Sequence, residues 1–171
     1  MKPFLVHMLI ILPLFAASQV MGQETKDVEN KLPYQLTDEE LDKKLGITAK
    51  TDVPDEYVCL VFFFREPGCD TCQLMAKLVL ETVTERFADE IKGRHISLRY
   101  RDFEDEKNAA LVKKLGIKTP SLALVRIKDG KMSRAILAWQ IWSLAAEKEK
   151  FMDYVEEVVQ LYLDELKEDS P

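Results

Sequence analysis

Residues 57–72, Tyr-Val-Cys-Leu-Val-Phe-Phe-Phe-Arg-Glu-Pro-Gly-Cys-Asp-Thr-Cys, form the segment that decides the fold. Residues 57–64 are apolar on both faces and rich in aromatic and β-branched side chains, which predicts a strand buried on both sides. Beyond a short turn, apolar residues recur at three- and four-residue steps from Cys72 to Ile91, which predicts one face of a helix. The pair Cys69 and Cys72 therefore lies where a central strand ends and a helix begins.

The rest of the chain continues this alternation of strands and helices. A Lys-Asp-Gly-Lys turn at 128–131 predicts a hairpin, and Gly116 suits the end of a helix. Since strands and helices alternate before a final helix, we predict an α/β fold with a single mixed β-sheet flanked by helices on both faces. The predicted elements after the first helix are a strand, a helix, two hairpin strands and a helix: 95–100, 106–115, 121–127, 132–137 and 146–166.

The N-terminal residues have the layout of a secretory signal peptide. Lys2 supplies a positive start, an almost unbroken apolar run covers residues 4–17, and small residues follow. The apolar run is shorter than a typical transmembrane helix, and the sequence becomes polar at Gln23. We therefore expect an exported protein, periplasmic or extracellular, without a membrane span after cleavage of residues 1–22; an uncleaved anchor is the alternative.

The segment after the predicted cleavage site is a polar leader that carries one short helix. Thr37 and Glu40 have the spacing of a capping box, and Gly46 suits the left-handed residue that closes a helix. The leader up to about residue 36 is expected to be loosely ordered. The predicted divisions are a signal peptide, a leader, one α/β domain and a polar tail: 1–22, 23–52, 53–166 and 167–171.

Composition narrows the class of protein. The net charge is −6 and no basic patch stands out, so the sequence does not indicate a nucleic-acid partner. Three cysteines are too few for a disulfide-stapled scaffold, and the odd number leaves one thiol over. The C-x-x-C pair is therefore interpreted as chemically active rather than as a staple.

The pattern resembles the thioredoxin family over roughly residues 53–166. The resemblance rests on the buried strand that ends at the C-x-x-C pair, on Gly116-Ile117-Lys118-Thr119-Pro120 before a strand, on the Lys-Asp-Gly turn and on the last helix. It implies a thioredoxin-like fold and a redox-active disulfide.

Within that superfamily the chain is similar to small exported bacterial proteins labelled as nitrophenyl-compound nitroreductase subunits. That similarity rests on the Cys-Asp-Thr-Cys box and on three further stretches, 125–131, 139–142 and 150–155. The residues indicate no flavin or nicotinamide site, so no cofactor is predicted and nitroreduction would need a partner.

Two departures from the thioredoxin pattern bear on reactivity. Gly68 replaces the tryptophan that thioredoxins carry before the first cysteine, and Asp70 and Thr71 replace their Gly-Pro. The buried acid that thioredoxins place six residues before the first cysteine is here Phe63. Since that acid moves protons to the second cysteine, its absence argues against fast, general disulfide reduction.

The pair is assigned complementary roles in disulfide exchange. Cys69 at the open helix end is the predicted nucleophile, because unpaired backbone N–H groups favour a negative sulfur there. Cys72, one turn on, is the predicted resolving thiol. Asp70 opposes the negative charge on Cys69, so we predict a moderate to reducing couple, nearer the thioredoxin end of a range of about −270 to −120 mV.

The resemblance also implies a substrate edge at Thr119 and Pro120. In thioredoxin folds the proline opposite the C-x-x-C is cis, and the residue before it offers its backbone to the substrate. We therefore expect a cis bond between Thr119 and Pro120, enforced by packing; a turn with a trans proline is the alternative.

Other interpretations of these residues stay open. The pair could belong to a zinc or copper site, with Cys59 and His95 as the remaining soft ligands, but no metal site is predicted. It could also be an inert structural disulfide. Cys59 is interpreted as a small buried apolar residue, whereas Trp139 and Trp142 either pack in the core or its rim or line a partner groove.

Two functions follow from these interpretations. The first is an exported thiol:disulfide oxidoreductase, a specialised relay or reductase with few clients, whose partners are a protein disulfide client and a membrane thiol-electron transporter. The second is a redox-inert thioredoxin-fold adaptor or copper-handling subunit of an envelope system. A Cys72→Ser variant separates them, since only an exchanging Cys69 traps a mixed disulfide.

Overall fold

The computed structural model describes residues 31–48 and 52–168. The predicted signal peptide, the start of the leader and residues 169–171 lie outside the described residues. Within the described part, no helix has both the length and the apolar character needed to cross a membrane.

The sheet has four strands, and the strand that leads to the cysteine pair lies inside it. β1 (Glu56–Phe64) pairs in parallel with β2 (Ile96–Asp102) on one side and antiparallel with β3 (Ser121–Lys128) on the other. β4 (Lys131–Leu137) extends the sheet antiparallel to β3, which gives the order β2-β1-β3-β4. The predicted mixed sheet of a thioredoxin-like α/β fold is confirmed.

Six helices accompany the sheet in the described residues. The predicted capped helix is present: the Thr37 hydroxyl accepts from the Glu40 amide, and the Glu40 carboxylate accepts from the Thr37 amide. In chain order the helices are α1 (Asp38–Lys44), α2 (Asp70–Arg86), α3 (Ala88–Lys92), α4 (Ala109–Leu115), α5 (Ile141–Leu144) and α6 (Lys148–Glu168).

Helices cover both faces of the sheet, as predicted. α2 and α6 pack on each other and on one face of β1, where Phe62 and Leu60 are fully buried. On that face the Tyr100 hydroxyl of β2 donates to the Ala76 carbonyl of α2 at 2.8 Å. The opposite face carries an apolar cluster that packs against α4, formed by Val61, Phe63, Ile117, Ala123 and Val125.

The end of the predicted leader is part of the domain. Residues 31–36 include a 3₁₀ turn in which Tyr34 and Leu36 are buried, and the Tyr34 ring stacks on Phe64 at 4.7 Å between centroids. The expectation of loose order is therefore wrong for residues 31–36. A single buried aromatic in a polar segment gives no periodicity from which this packing could be predicted.

Two predicted helices have different bounds. The helix predicted to continue to Ile91 breaks at Phe87, whose φ of −132° leaves the helical range, and a separate short helix follows. Phe87 and Ile91 are both buried, so the apolar spacing continues across the break. The last helix begins at Lys148 rather than 146, after the short α5 that the sequence did not predict.

Candidate functional site

Cys69 and Cys72 form a disulfide at the start of α2. Their Cα atoms are 5.0 Å apart. Cys69 is the N-cap of the helix, in an extended conformation, and its Sγ accepts a hydrogen bond from the Cys72 amide at 3.2 Å. Cys69 is exposed, whereas Cys72 is 6% exposed. The exposed cysteine thus lies at the positive end of a 17-residue helix, and the buried cysteine lies in its first turn.

The turn before the pair is packed against the N-terminal segment. A Cβ placed on Gly68 would lie 3.3 Å from the Tyr34 hydroxyl oxygen, so glycine suits this position. The Gln73 side-chain amide donates to the Gly68 carbonyl at 3.3 Å, which holds the turn to the first turn of α2. Burial, and secondarily the charge of Glu66, raise the pKa of Tyr34, so the phenol stays protonated near neutral pH.

A groove of about 280 Å³ opens beside the pair. It brings Cys69 and Cys72 together with Thr119 and Pro120, the residues that the resemblance implied for the substrate edge. The other side chains around it belong to the β1–α2 turn, the β2–α4 loop, the loop before β3 and α5: Arg65, Pro67, Phe103, Lys118 and Trp142. An extended segment lying in this groove would pass both Cys69 and the Thr119–Pro120 edge.

The expected cis bond between Thr119 and Pro120 is wrong. Among the described residues the cis peptide bond is Glu66–Pro67, in the turn before the cysteines. The carbonyl oxygens of Thr119 and Pro120 both accept hydrogen bonds. The Ser121 hydroxyl donates to Thr119 O and the Trp142 indole N–H donates to Pro120 O, each at 2.8 Å. A trans X–Pro bond is the more stable isomer unless packing enforces the other.

Trp142 lines the groove. The sequence left open whether it packs in the core or its rim or lines a partner groove. It is 42% exposed, and its N–H reaches the Pro120 carbonyl across 22 positions of the chain. Trp139 is 72% exposed and does not line the groove, so neither tryptophan packs in the core. The sequence signals for Trp142 were its aromatic side chain after the last predicted strand and its place in the stretch 139–142 of the resemblance.

Phe63 occupies the position of the missing acid. It has no exposed surface and belongs to the apolar cluster under α4. A carboxyl group at this position would have to be buried among the aliphatic side chains of Val61, Ala123 and Ile117. The side of β1 that bears Phe63 is therefore built for packing.

Cys59, the third cysteine, lies apart from the pair. It is half-buried in the middle of β1, opposite Ser97 of β2, and packs against the same apolar cluster. Burial raises the pKa of its thiol; the neighbouring Ser97, Arg99 and Arg101 lower it by less. Within residues 31–48 and 52–168, no group of three or more His, Cys, Asp or Glu side chains could hold a metal ion.

The solved structures to which this chain is similar include two thioredoxins. The oxidized thioredoxin O2 of Arabidopsis thaliana is 16% identical with a TM-score of 0.36, covering 68% of this chain and 90% of that one. A mutant thioredoxin of Halobacterium salinarum NRC-1 is 23% identical with a TM-score of 0.33, covering 68% and 83%. Neither a protein-family model nor a curated protein sequence matches the chain. The fold assignment rests on the strand order and pairing.

Proposed function

We propose that the chain is an exported thiol:disulfide oxidoreductase in which Cys69 is the nucleophile and Cys72 the resolving thiol. The observation that carries this proposal is the exposed Cys69 at a helix N-terminus, joined to a buried Cys72 and open to a groove. An exposed sulfur at a helix start is the environment in which a thiolate is favoured, whereas an inert structural cysteine is buried.

The exchange reaction balances without a cofactor. In the reduced protein the Cys69 thiolate attacks one sulfur of the client disulfide, a mixed disulfide forms and the other client sulfur leaves as a thiolate. Cys72 then loses its proton and attacks the Cys69 sulfur, which releases the client as a dithiol. Two electrons and two protons pass from the pair to the client, and the pair ends as the disulfide.

The oxidised pair must be reduced again before another turnover. A dithiol donor at the membrane, of the thiol-electron transporter class, would supply those electrons by the same exchange in reverse. Reduction of a nitrophenyl compound, the activity named in the label of the similar exported proteins, would need a further partner, because the residues indicate no flavin or nicotinamide site.

A trapping experiment tests the assigned roles. The reduced Cys72→Ser variant is mixed with a cyclic disulfide peptide and its intact mass is measured. We expect an adduct of one peptide per chain through Cys69, none with Cys69→Ser, and complete turnover by the wild type. If the fully reduced Cys72→Ser variant forms no adduct, the redox-inert adaptor is supported, and copper titration of the reduced protein tests its metal-handling form.

Export is tested separately from the chemistry. The full-length chain is produced in a bacterial host, the envelope and cytoplasmic fractions are separated, and the N-terminal residue of the recovered protein is determined. A start at Gln23 in the envelope fraction supports the proposal. Recovery of a chain that still begins at Met1 in the cytoplasmic fraction contradicts it.

A further inference from the structure

The groove beside the cysteine pair has a charge opposite to that of the whole chain. The protein has 30 acidic and 24 basic residues and a net charge of −6. Of the side chains that line the groove, two are cationic, Arg65 and Lys118, and none is a carboxylate. A segment that enters this groove therefore meets positive charge next to Cys69.

The two cations are not equally available. Arg65 Nη1 lies 3.3 Å from the Glu104 carboxylate, in a pair whose side chains are more than half exposed. Such a pair is weak but partly occupies the guanidinium. Lys118 is exposed and has no ion-pair partner within the part of the chain that the structure describes. Lys118 is thus the cation free to meet a ligand.

The acidic residues next to groove residues in sequence do not neutralise the positive charge of the groove. Glu66, Asp70 and Asp102 adjoin groove residues in sequence but do not line the groove, and Glu104 is engaged by Arg65. The rest of the lining is uncharged and includes the aromatic rings of Phe103 and Trp142. The groove thus offers one free positive charge beside an aromatic wall.

Lys118 directly precedes the Thr119–Pro120 edge. A client strand that runs along this edge would place the side chains next to its cysteine within reach of the flexible lysine stem. We propose that the groove prefers client disulfides with an acidic residue next to the cysteine, and that Lys118 determines this preference. The proposal deepens the oxidoreductase function and rests on it.

The expected size of the preference follows from the exposure of the lysine. An exposed ion pair contributes about 0.2–1 kcal/mol, so one acidic residue next to the client cysteine should raise kcat/KM about 1.4- to fivefold over its amide analogue. At an ionic strength of about 0.15 M the screening length is about 8 Å, so the net negative charge of the chain contributes little at the groove.

The experiment uses three cyclic disulfide peptides that differ only in the residue beside one cysteine: Glu, Gln or Lys. The reduced full-length protein reduces each peptide, and each rate is divided by the rate with β-mercaptoethanol, because charge near the client sulfur itself alters exchange. We expect normalised rates in the order Glu, Gln, Lys. Lys118→Met should remove the order and Lys118→Glu should reverse it, whereas Lys113→Met, an exposed lysine of α4 outside the groove, should keep it.

The outcomes separate this inference from the function on which it rests. If the wild type reduces all three peptides at equal normalised rates, the charge preference is wrong. If Lys118→Met keeps the order, Lys118 does not determine the preference and the proposal is overturned. In both cases the oxidoreductase function stands. If the wild type reduces none of the peptides, the proposed function fails and the inference fails with it.

Discussion

The indole Nε1 of Trp142 donates a hydrogen bond to the carbonyl oxygen of Pro120 at 2.8 Å. This bond joins α5 to the loop that faces the cysteine pair across the groove. Ile117 anchors the start of this loop in the apolar cluster and the Ser121 hydroxyl donates to the Thr119 carbonyl. The indole adds a hydrogen bond from a segment distant in sequence. The position of the proposed client edge thus depends on a residue that follows the sheet.

Replacing Trp142 should weaken client binding more than the chemistry. Trp142→Phe keeps an aromatic ring but removes the donor, and a net hydrogen bond contributes about 0.5–1.5 kcal/mol. We expect KM for a disulfide peptide to rise about two- to tenfold with kcat within about twofold. Steady-state kinetics measure both, and Trp139→Phe, on an exposed ring outside the groove, should change neither. An equal fall in kcat would show that the indole acts on the exchange step.

The contact between Gly68 and Tyr34 predicts a rescue. In Gly68→Ala the new Cβ would lie 3.3 Å from the Tyr34 hydroxyl oxygen, which is tighter than ordinary packing. Overpacking typically costs about 1–3 kcal/mol, so the urea midpoint should fall. Adding Tyr34→Phe removes the crowded oxygen and should restore most of the loss.

The rescue of Gly68→Ala by Tyr34→Phe should depend on removal of the Tyr34 hydroxyl oxygen. Tyr34→Phe alone keeps the stacking on Phe64 and serves as the control, with an expected change of less than about 1 kcal/mol. If the two substitutions change the free energy of unfolding additively, the Cβ at position 68 does not contact the Tyr34 hydroxyl oxygen.

Asp38 gives the fold an acid-sensitive contact. Both oxygens of its carboxylate accept from Arg101, at 2.8 and 2.7 Å, and this holds the pKa of Asp38 below its ordinary value of about 3.9. Because the pKa of Asp38 is lower in the folded state, its ion pair contributes fully to stability when the pH is above the ordinary pKa. That contribution is lost as the pH falls through the lowered pKa.

Asp38→Asn should therefore destabilise the protein more at pH 7 than at low pH. The side chain is about half exposed, so we expect a loss of less than about 1 kcal/mol at pH 7 and a smaller loss at about pH 2.5. Urea unfolding at both pH values measures it, with the exposed Asp52→Asn as the control. A loss of equal size at both pH values would contradict the ion-pair explanation.

Asp70 should make the cysteine pair more reducing. Its exposed carboxylate follows Cys69 at the start of α2 and opposes negative charge on that sulfur. In high dielectric two charges about 4–6 Å apart interact by about 0.7–1 kcal/mol, so Asp70→Asn should shift the potential by roughly 15–20 mV toward oxidising. Equilibration with glutathione measures the shift.

The control for this measurement is Asp89→Asn, in the short α3 away from the pair. The wild type itself is expected near the thioredoxin end of the range of about −270 to −120 mV. A wild-type potential at the oxidising limit would show that the helix end outweighs the carboxylate.

Local patterns in the sequence were enough to predict most of the fold. The unbroken apolar run at 57–64 could only be a strand covered on both faces, and Gly116 and Gly46 have the positive φ values that close helices. Helix bounds were less predictable, because the apolar spacing continues through Phe87 although the backbone does not.

The parts of the site that escaped prediction depend on contacts between distant segments. Trp142 lies in a four-residue helix that is too short to show periodicity, and its bond to Pro120 spans 22 positions. The isomer of the Thr119–Pro120 bond is set by packing, which the local sequence does not specify. The cysteine positions needed no such contact, since the C-x-x-C spacing at a helix start brings the sulfurs within bonding distance by itself.

The placement of Cys59 has a practical consequence for following turnover. Its thiol lies in the middle of β1, while the other two sulfurs form a disulfide at the start of α2. Each unfolded chain should therefore release one titratable thiol when the pair is oxidised and three when it is reduced. The chain contains its own stoichiometric standard, against which the redox state of a mixed population can be counted.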